Sequence, residues 1–258
     1  MAQIDYDGRQ HTVYASGRVL AAASIADWMT AFARRLPDRR PLSVLDLGSG
    51  TGRFTPALAD AFGGPVVGVE PSPGMRGVAE RDAAHPAVQY LAGSAERIPL
   101  PDGSCDAVLM FLSLHHVEDR AGAAAEIARV LAPGGRVLVR STFADRMDQF
   151  ANGWHRYFPR ATEIEREMFP TVGQVLEMFG AVGRGKVGLG QVALVAVPVR
   201  LAENLAVYAD RLRLRAISTF EFLTEEEIEA GFAALDAAVA ADEAGAPVES
   251  ASDLLVLG

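Results

Sequence analysis

Residues 44–55 run Val-Leu-Asp-Leu-Gly-Ser-Gly-Thr-Gly-Arg-Phe-Thr, and this stretch restricts the fold more than any other. The apolar run that begins at Leu42 lies between Pro41 and the glycines, which predicts a short, buried, parallel strand. Gly48, Gly50 and Gly52 follow at alternate positions, and Phe54, Leu58 and Phe62 then recur at helical spacing. Strand, glycine turn and helix together form a ligand-binding arrangement. Glycines let a backbone approach its ligand closely, and a helix N-terminus presents N–H groups that have no partner within the helix. The spacing separates ligand classes, because a dinucleotide fingerprint needs G-x-G-x-x-G. Counted from Gly48 the sixth position is Arg53, and counted from Gly50 it is Thr55, so the fingerprint fails in both registers. On the glycines alone, a nucleotide site and a purely structural turn both stay open.

The rest of the chain alternates strands and helices as far as Ser141. Ala21, Ile25, Trp28, Phe32 and Leu36 mark a helix ahead of the glycine turn. Residues 65–70, 88–92, 107–112 and 136–140 read as further strands. Ser72 and Pro73 have the chemistry of an N-cap and first helical residue. Ala124, Ile127, Ala128 and Leu131 form a helix face stopped by Pro133-Gly134-Gly135. Beyond Ser141 the alternation loosens, with Trp154, His155, Tyr157 and Phe158 set among charges. Thr171 and Gln174 form a capping-box pair, as do Thr224 and Glu227 ahead of Ile228, Phe232, Leu235 and Val239. Residues 192–199 read as a strand stopped at Pro198, Leu201, Leu205, Tyr208 and Leu212 as a helix, and 252–257 as a closing strand.

Asp46-x-Gly48-x-Gly50-x-Gly52 resembles the first motif of the class I S-adenosylmethionine (SAM)-dependent methyltransferases. The runs 67–75, 98–106 and 126–136 resemble later motifs of that family in the same order, so the resemblance covers about residues 40–145. It implies an α/β fold with a Rossmann-like, seven-stranded, mostly parallel sheet and helices on both faces. The implied strand order is 3-2-1-4-5-7-6, with inserted C-terminal helices forming a lid. It also implies one methyltransferase domain over 1–258, made of an N-terminal helical cap (1–40), a SAM-binding core (41–143) and an acceptor-side region with the closing strands (144–258).

The same resemblance assigns SAM contacts to Asp46, Gly48, Ser49, Gly50, Thr51 and Gly52. Glu70, eighteen residues past Gly52, is placed at the ribose hydroxyls with Pro71 beside it, and Met75 near the adenine. Ser94, Ala95 and Glu96 fall at the adenine edge, where Ser94 replaces the family's usual Asp, and Phe111, in the fourth strand, is a further expected SAM contact. Arg18, from the segment ahead of the first helix, either pairs with the SAM carboxylate, as the resemblance implies, or is a solvated surface arginine. His115 and His116 follow strand four, which in that order lies beside strand one at the switch point. They are the candidate catalytic residues, with acceptor contact, general-base work and helix capping all open.

Composition narrows the acceptor. Asp and Glu (33) outnumber Lys and Arg (24), giving a formal charge of −9, which disfavours a nucleic-acid partner. The sequence lacks the Asn-Pro-Pro-Tyr and Asp-Pro-Pro-Tyr runs of amino-directed nucleic-acid methyltransferases. A small-molecule acceptor is therefore expected. Arg200, Arg211, Arg213 and Arg215 either attract an acidic acceptor or form a solvated face. The single Cys105 sits in an apolar run as a buried thiol and leaves no multi-cysteine zinc site, so no metal is expected. The apolar patch 19–26 is too short to span a bilayer. The expectation is a soluble, cytoplasmic monomer or homodimer without a membrane partner. Two other readings remain, a SAM-binding protein of the same fold without methyl transfer and a nicotinamide-dependent oxidoreductase.

Overall fold

A computed structural model describes residues 22–150, 153–182, 189–242 and 245–258. Helix α1 (Ala22–Ala33) leads into β1 (Val44–Leu47), α2 (Thr55–Phe62), β2 (Val66–Glu70), α3 (Pro73–Asp82), β3 (Val88–Ala92) and β4 (Cys105–Phe111). Next come α4 (Arg120–Val130), β5 (Leu131–Ser141), α5 (Pro159–Met168) and α6 (Val172–Val182). The chain closes with β6 (Gln191–Ala202), α7 (Leu205–Arg213), α8 (Glu225–Ala241) and β7 (Val248–Leu257). The seven strands form one sheet in the order β3-β2-β1-β4-β5-β7-β6. β1 to β5 pair in parallel, whereas β7 is antiparallel to both β5 and β6. Fold and strand order are those the family resemblance implies.

The sheet is covered on both faces because its strands are apolar on both. In β4, Val108 and Met110 pack with α4 and α6, while Ala107 and Leu109 pack with α1 and α2. Successive side chains of a strand point to opposite faces, so a run with every residue apolar demands two layers. Cys105 belongs to the first of these layers and is buried. A third cluster lies apart from both, where Trp154, Phe158, Ile164, Tyr208, Leu212, Phe220 and Ile228 join α5, α7 and α8 into the lid. Its caps are local. The Thr224 side chain accepts from Glu227 N and the Glu227 side chain from Thr224 N, and Thr171 and Gln174 reciprocate in the same way ahead of α6.

Several boundaries differ from the sequence expectation, β7 for one starting at Val248, and three of them have a reason visible in the pairing or capping. Leu131 is not on the helix face; it is the first residue of β5 and pairs with Cys105, after which a register shift loops out residues 132–135 and pairing resumes at Arg136 with Ala107. Pro198 does not stop its strand. β6 runs on to Ala202 with Pro198 opposite Ala251, which is possible because among the described residues β6 is the sheet edge, with a ladder on one side only. Leu201 therefore belongs to β6, and α7 starts at Leu205 behind an Asn204 cap.

Candidate active site

The parallel strands bring the turn after β1, the end of β2, the segment after β3 and the segment after β4 to one edge of the sheet, where open α/β sheets bind ligands. Gly48, Gly50 and Gly52 all have positive φ. A Cβ on Gly48 would collide with Ser113, and one on Gly52 with the Tyr90 hydroxyl and Ala83. Among the described residues, a Cβ on Gly50 would meet only Met75 Cε, at 3.8 Å. Two of the glycines thus accommodate the protein itself, and Gly50 is the one that keeps space open. Glu70, nearly buried, fastens the turn: its Oε2 accepts from Gly50 N and its Oε1 from Ser72 N, each at 2.9 Å. Glu70 thus holds the turn and presents its carboxylate in the cavity wall.

These residues line a cavity of about 440 Å³. Of the sequence-predicted set, Gly48, Gly50, Glu70, Pro71, Met75, Ser94, Ala95, Glu96, Phe111 and His116 are in its wall. Asp46, Ser49, Thr51 and Gly52 are not. The Ser49 hydroxyl sits over Gly68 of β2, and Thr51 is buried. Asp46 lies fully buried behind the turn, where its Oδ2 accepts from Thr55 Oγ1 at 2.7 Å. Burial pushes its carboxyl up to about 6, against the opposing pull of the Thr55 hydroxyl; the negative Glu70 adds to the rise and Arg53 offsets part of it. Asp46 ties β1 to the first turn of α2 and so shapes the loop from behind. Arg18 lies outside the described residues. The wall also contains Val69, Met110, Leu112, Ser113, Val117, Glu118 and Asp119. Only Val69 and Met110 carried a signal, as the inward residues nearest the strand ends. Ser113 is placed by its Oγ donating to Leu47 O at 2.8 Å, a bond across 66 residues that no local pattern announces.

A second cavity of about 210 Å³ shares Phe111 and Leu112 with the first. Leu112 sits at φ 57°, a conformation costly for any residue but glycine, at the junction of the two spaces. The histidine pair divides here, with His115 lining the second cavity and His116 the first. Their rings are 3.9 Å apart, and His115 also packs on Phe169 at 4.3 Å. Arg53 and Arg140 flank Phe111, their guanidinium carbons 5.7 and 4.8 Å from its ring centre, and Arg140 donates to Ser252 Oγ at 2.7 Å. The lid supplies Trp154, His155, Glu165, Tyr208, Arg211 and Thr219. Of the four arginines singled out in the sequence, Arg211 alone reaches this cavity, its Nη1 donating to Leu201 O at 2.7 Å. Arg200, Arg213 and Arg215 form ion pairs with Glu249, Asp236 and Glu225. Among the described residues no helix is long and apolar enough to cross a membrane.

A βαβ sheet whose glycine turn and second-strand acid frame a cavity at the strand ends defines a class of proteins that bind adenosine-containing ligands. Residues 45–139 match the family model described as a methyltransferase domain, a match that supports a class I SAM-dependent methyltransferase. It is 43% identical over 144 residues to an uncharacterized methyltransferase of Mycobacterium tuberculosis, covering 55% of this chain and 53% of that protein. It is 32% identical over 146 residues to a demethylmenaquinone methyltransferase of Thermus thermophilus, covering 55% of this chain and 66% of the other. The chain spans about half the length of the first of these relatives. A solved structure from Anabaena variabilis, described as a methyltransferase from an antibiotic biosynthesis pathway, shares the fold at a TM-score of 0.70. Its identity is 20%, over 92% of this chain and 100% of that one.

Proposed function

We propose that this chain transfers a methyl group from SAM to a small-molecule acceptor. The observation that carries the reading is the meeting of two cavities at Phe111 and Leu112, one framed by the glycine turn and Glu70, the other by the lid. The first fits the donor in chemistry as well as size. Gly50 leaves its side open, Glu70 offers acceptor positions for a ribose diol, Met75 and Ala95 give apolar surface, and Ser94 and Glu96 give polar contacts for an adenine edge. SAM, when bound, supplies an electrophilic methyl group on a positively charged sulfur. The chain's residues then have to align a nucleophile, exclude water and, for a protonated acceptor, take up a proton. In this reading residues 41–143 hold SAM, residues 144–258 supply the acceptor side, and the protein acts in the cytoplasm on a soluble compound.

Calorimetry with SAM, followed by labelled-methyl transfer to a panel of phenols, amines and carboxylic acids, tests the proposal. Tight SAM binding with no transfer to any class would favour a SAM-binding module, and NADH binding in place of SAM would favour an oxidoreductase. Glu70→Ala is expected to weaken SAM by about 1–3 kcal/mol, the loss of charge-assisted hydrogen bonds. An unchanged affinity would remove Glu70 from the site.

A further inference from the structure

His155 occupies a short 3-10 turn (Trp154–Arg156) in the lid and lines the second cavity. Its Nε2 lies 2.8 Å from Oε2 of Glu165, on α5. The other oxygen of Glu165 accepts from Thr219 Oγ1 at 2.7 Å, from the turn Ser218–Phe222. Glu165 is 5% exposed, whereas the His155 side chain is 20% exposed. A buried acid held from both sides, with an accessible imidazole in front of it, is an arrangement that orients a base. Facing an ionised carboxylate, which only accepts, Nε2 would carry the ring hydrogen and Nδ1 would keep its lone pair. A buried carboxylate also stabilises the imidazolium that forms when Nδ1 takes a proton.

We propose that His155, positioned by Glu165 and Thr219, is the general base of the second cavity, and that the acceptor it serves is a phenol or enol hydroxyl. This rests on the methyltransferase reading above and deepens it. An ionised carboxylate or a tertiary amine presents its lone pair without help, so an oriented base is useful only to an acceptor with a proton to lose. Phenols and enols release theirs at pH values an imidazole can serve. The cavity suits such a ring, because Trp28, Phe111, Trp154 and Phe169 line it. In the step proposed, the acceptor O–H bond breaks, the proton passes to His155 Nδ1, and the electron pair stays on oxygen as the nucleophile. His115, from the turn after β4, lines the same cavity but packs between His116 and Phe169.

The test uses the full chain with SAM and 4-nitrophenol, whose ionisation is visible by absorbance whether or not it is methylated. Among the described residues, the other charged groups facing this cavity are Arg53 at the glycine turn, Arg140 of β5 and Arg211 of α7, and all three favour a phenolate. The comparison of wild type with His155→Gln removes their shared contribution. In wild type, bound 4-nitrophenol should ionise at lower pH than in solution, and in His155→Gln that shift should shrink. Thr219→Val should shrink it in part, while Glu165→Gln, which favours the wrong ring tautomer, should shrink it as far as the histidine change does. In single-turnover transfer to a phenol, His155→Ala should lose about 100-fold or more, the low end of general-base contributions. Added imidazole should restore part of that rate, while SAM affinity stays near wild type. The assignment is overturned if 4-nitrophenol does not bind, if its shift persists in His155→Gln, or if His155→Ala keeps the wild-type rate and pH profile. Loss of SAM binding by the wild-type protein would instead refute the methyltransferase reading itself.

Discussion

Gly50 and Asp46 act on the same turn from opposite sides, and each can be tested alone. Gly50→Val puts a branched side chain where the nearest atom among the described residues is Met75 Cε at 3.8 Å, in a left-handed conformation that costs a non-glycine residue about 1–2 kcal/mol. The variant should fold with that modest penalty and bind SAM at least about tenfold more weakly, a loss of 1.4 kcal/mol or more. Gly52→Ala should instead lose stability first, because its new methyl meets Tyr90 and Ala83. Calorimetry beside thermal melting separates the two. Asp46 makes a prediction about pH. Its carboxyl is raised from 3.8 to about 6 by burial, so the folded state holds a proton that the unfolded chain has released. Its stabilising contribution is therefore full below about pH 4 and is lost as pH rises through about 6, for a total on the order of 3 kcal/mol. Asp46→Asn keeps an acceptor for Thr55 and cannot ionise. The wild-type stability measured against that variant by urea unfolding should fall over this window, and a flat difference would mean that Asp46 stays charged. The motif pointed to Asp46 but could not say which side of the loop it takes, because that depends on what covers it.

Among the elements, those with chemistry confined to one turn were legible. The Thr224/Glu227 and Thr171/Gln174 boxes depend on residues three apart, and both form as their sequence spells out. Thr224→Ala should cost about 1 kcal/mol of stability through loss of the α8 cap, read as a lower urea midpoint with an unchanged slope. Since α8 packs in the lid cluster and not on the sheet, SAM affinity should hold. Elements whose limits depend on distant partners were less legible. Leu131 has the right spacing to continue the α4 face, yet Cys105 on β4 recruits it into β5. Pro198 reads as a strand breaker to anyone who cannot see that β6 lies at the sheet edge.

At the scale of the whole molecule the two cavities differ in the same respect. The first is framed mostly by residues at fixed offsets from strand ends, so the glycine turn, Glu70, Met75 and the 94–96 segment could be placed in advance. The second gathers Trp28, Phe111, Arg140, His155, Tyr208 and Ser252, which share no spacing and meet only when the lid folds over the sheet. Its histidine and buried glutamate, ten residues apart on different elements, leave no pattern in the sequence. The same sheet that frames both cavities ends at β6, and an edge strand is a template on which another chain can add. Pro198, exposed midway along β6, has no N–H to offer a newcomer and breaks the row of donors that sheet growth would need. The residue that looked like the end of a strand thus serves as a guard against aggregation. Pro198→Thr should fold as before but form larger species as concentration rises, and light scattering identical to wild type would show that the edge is protected by other means.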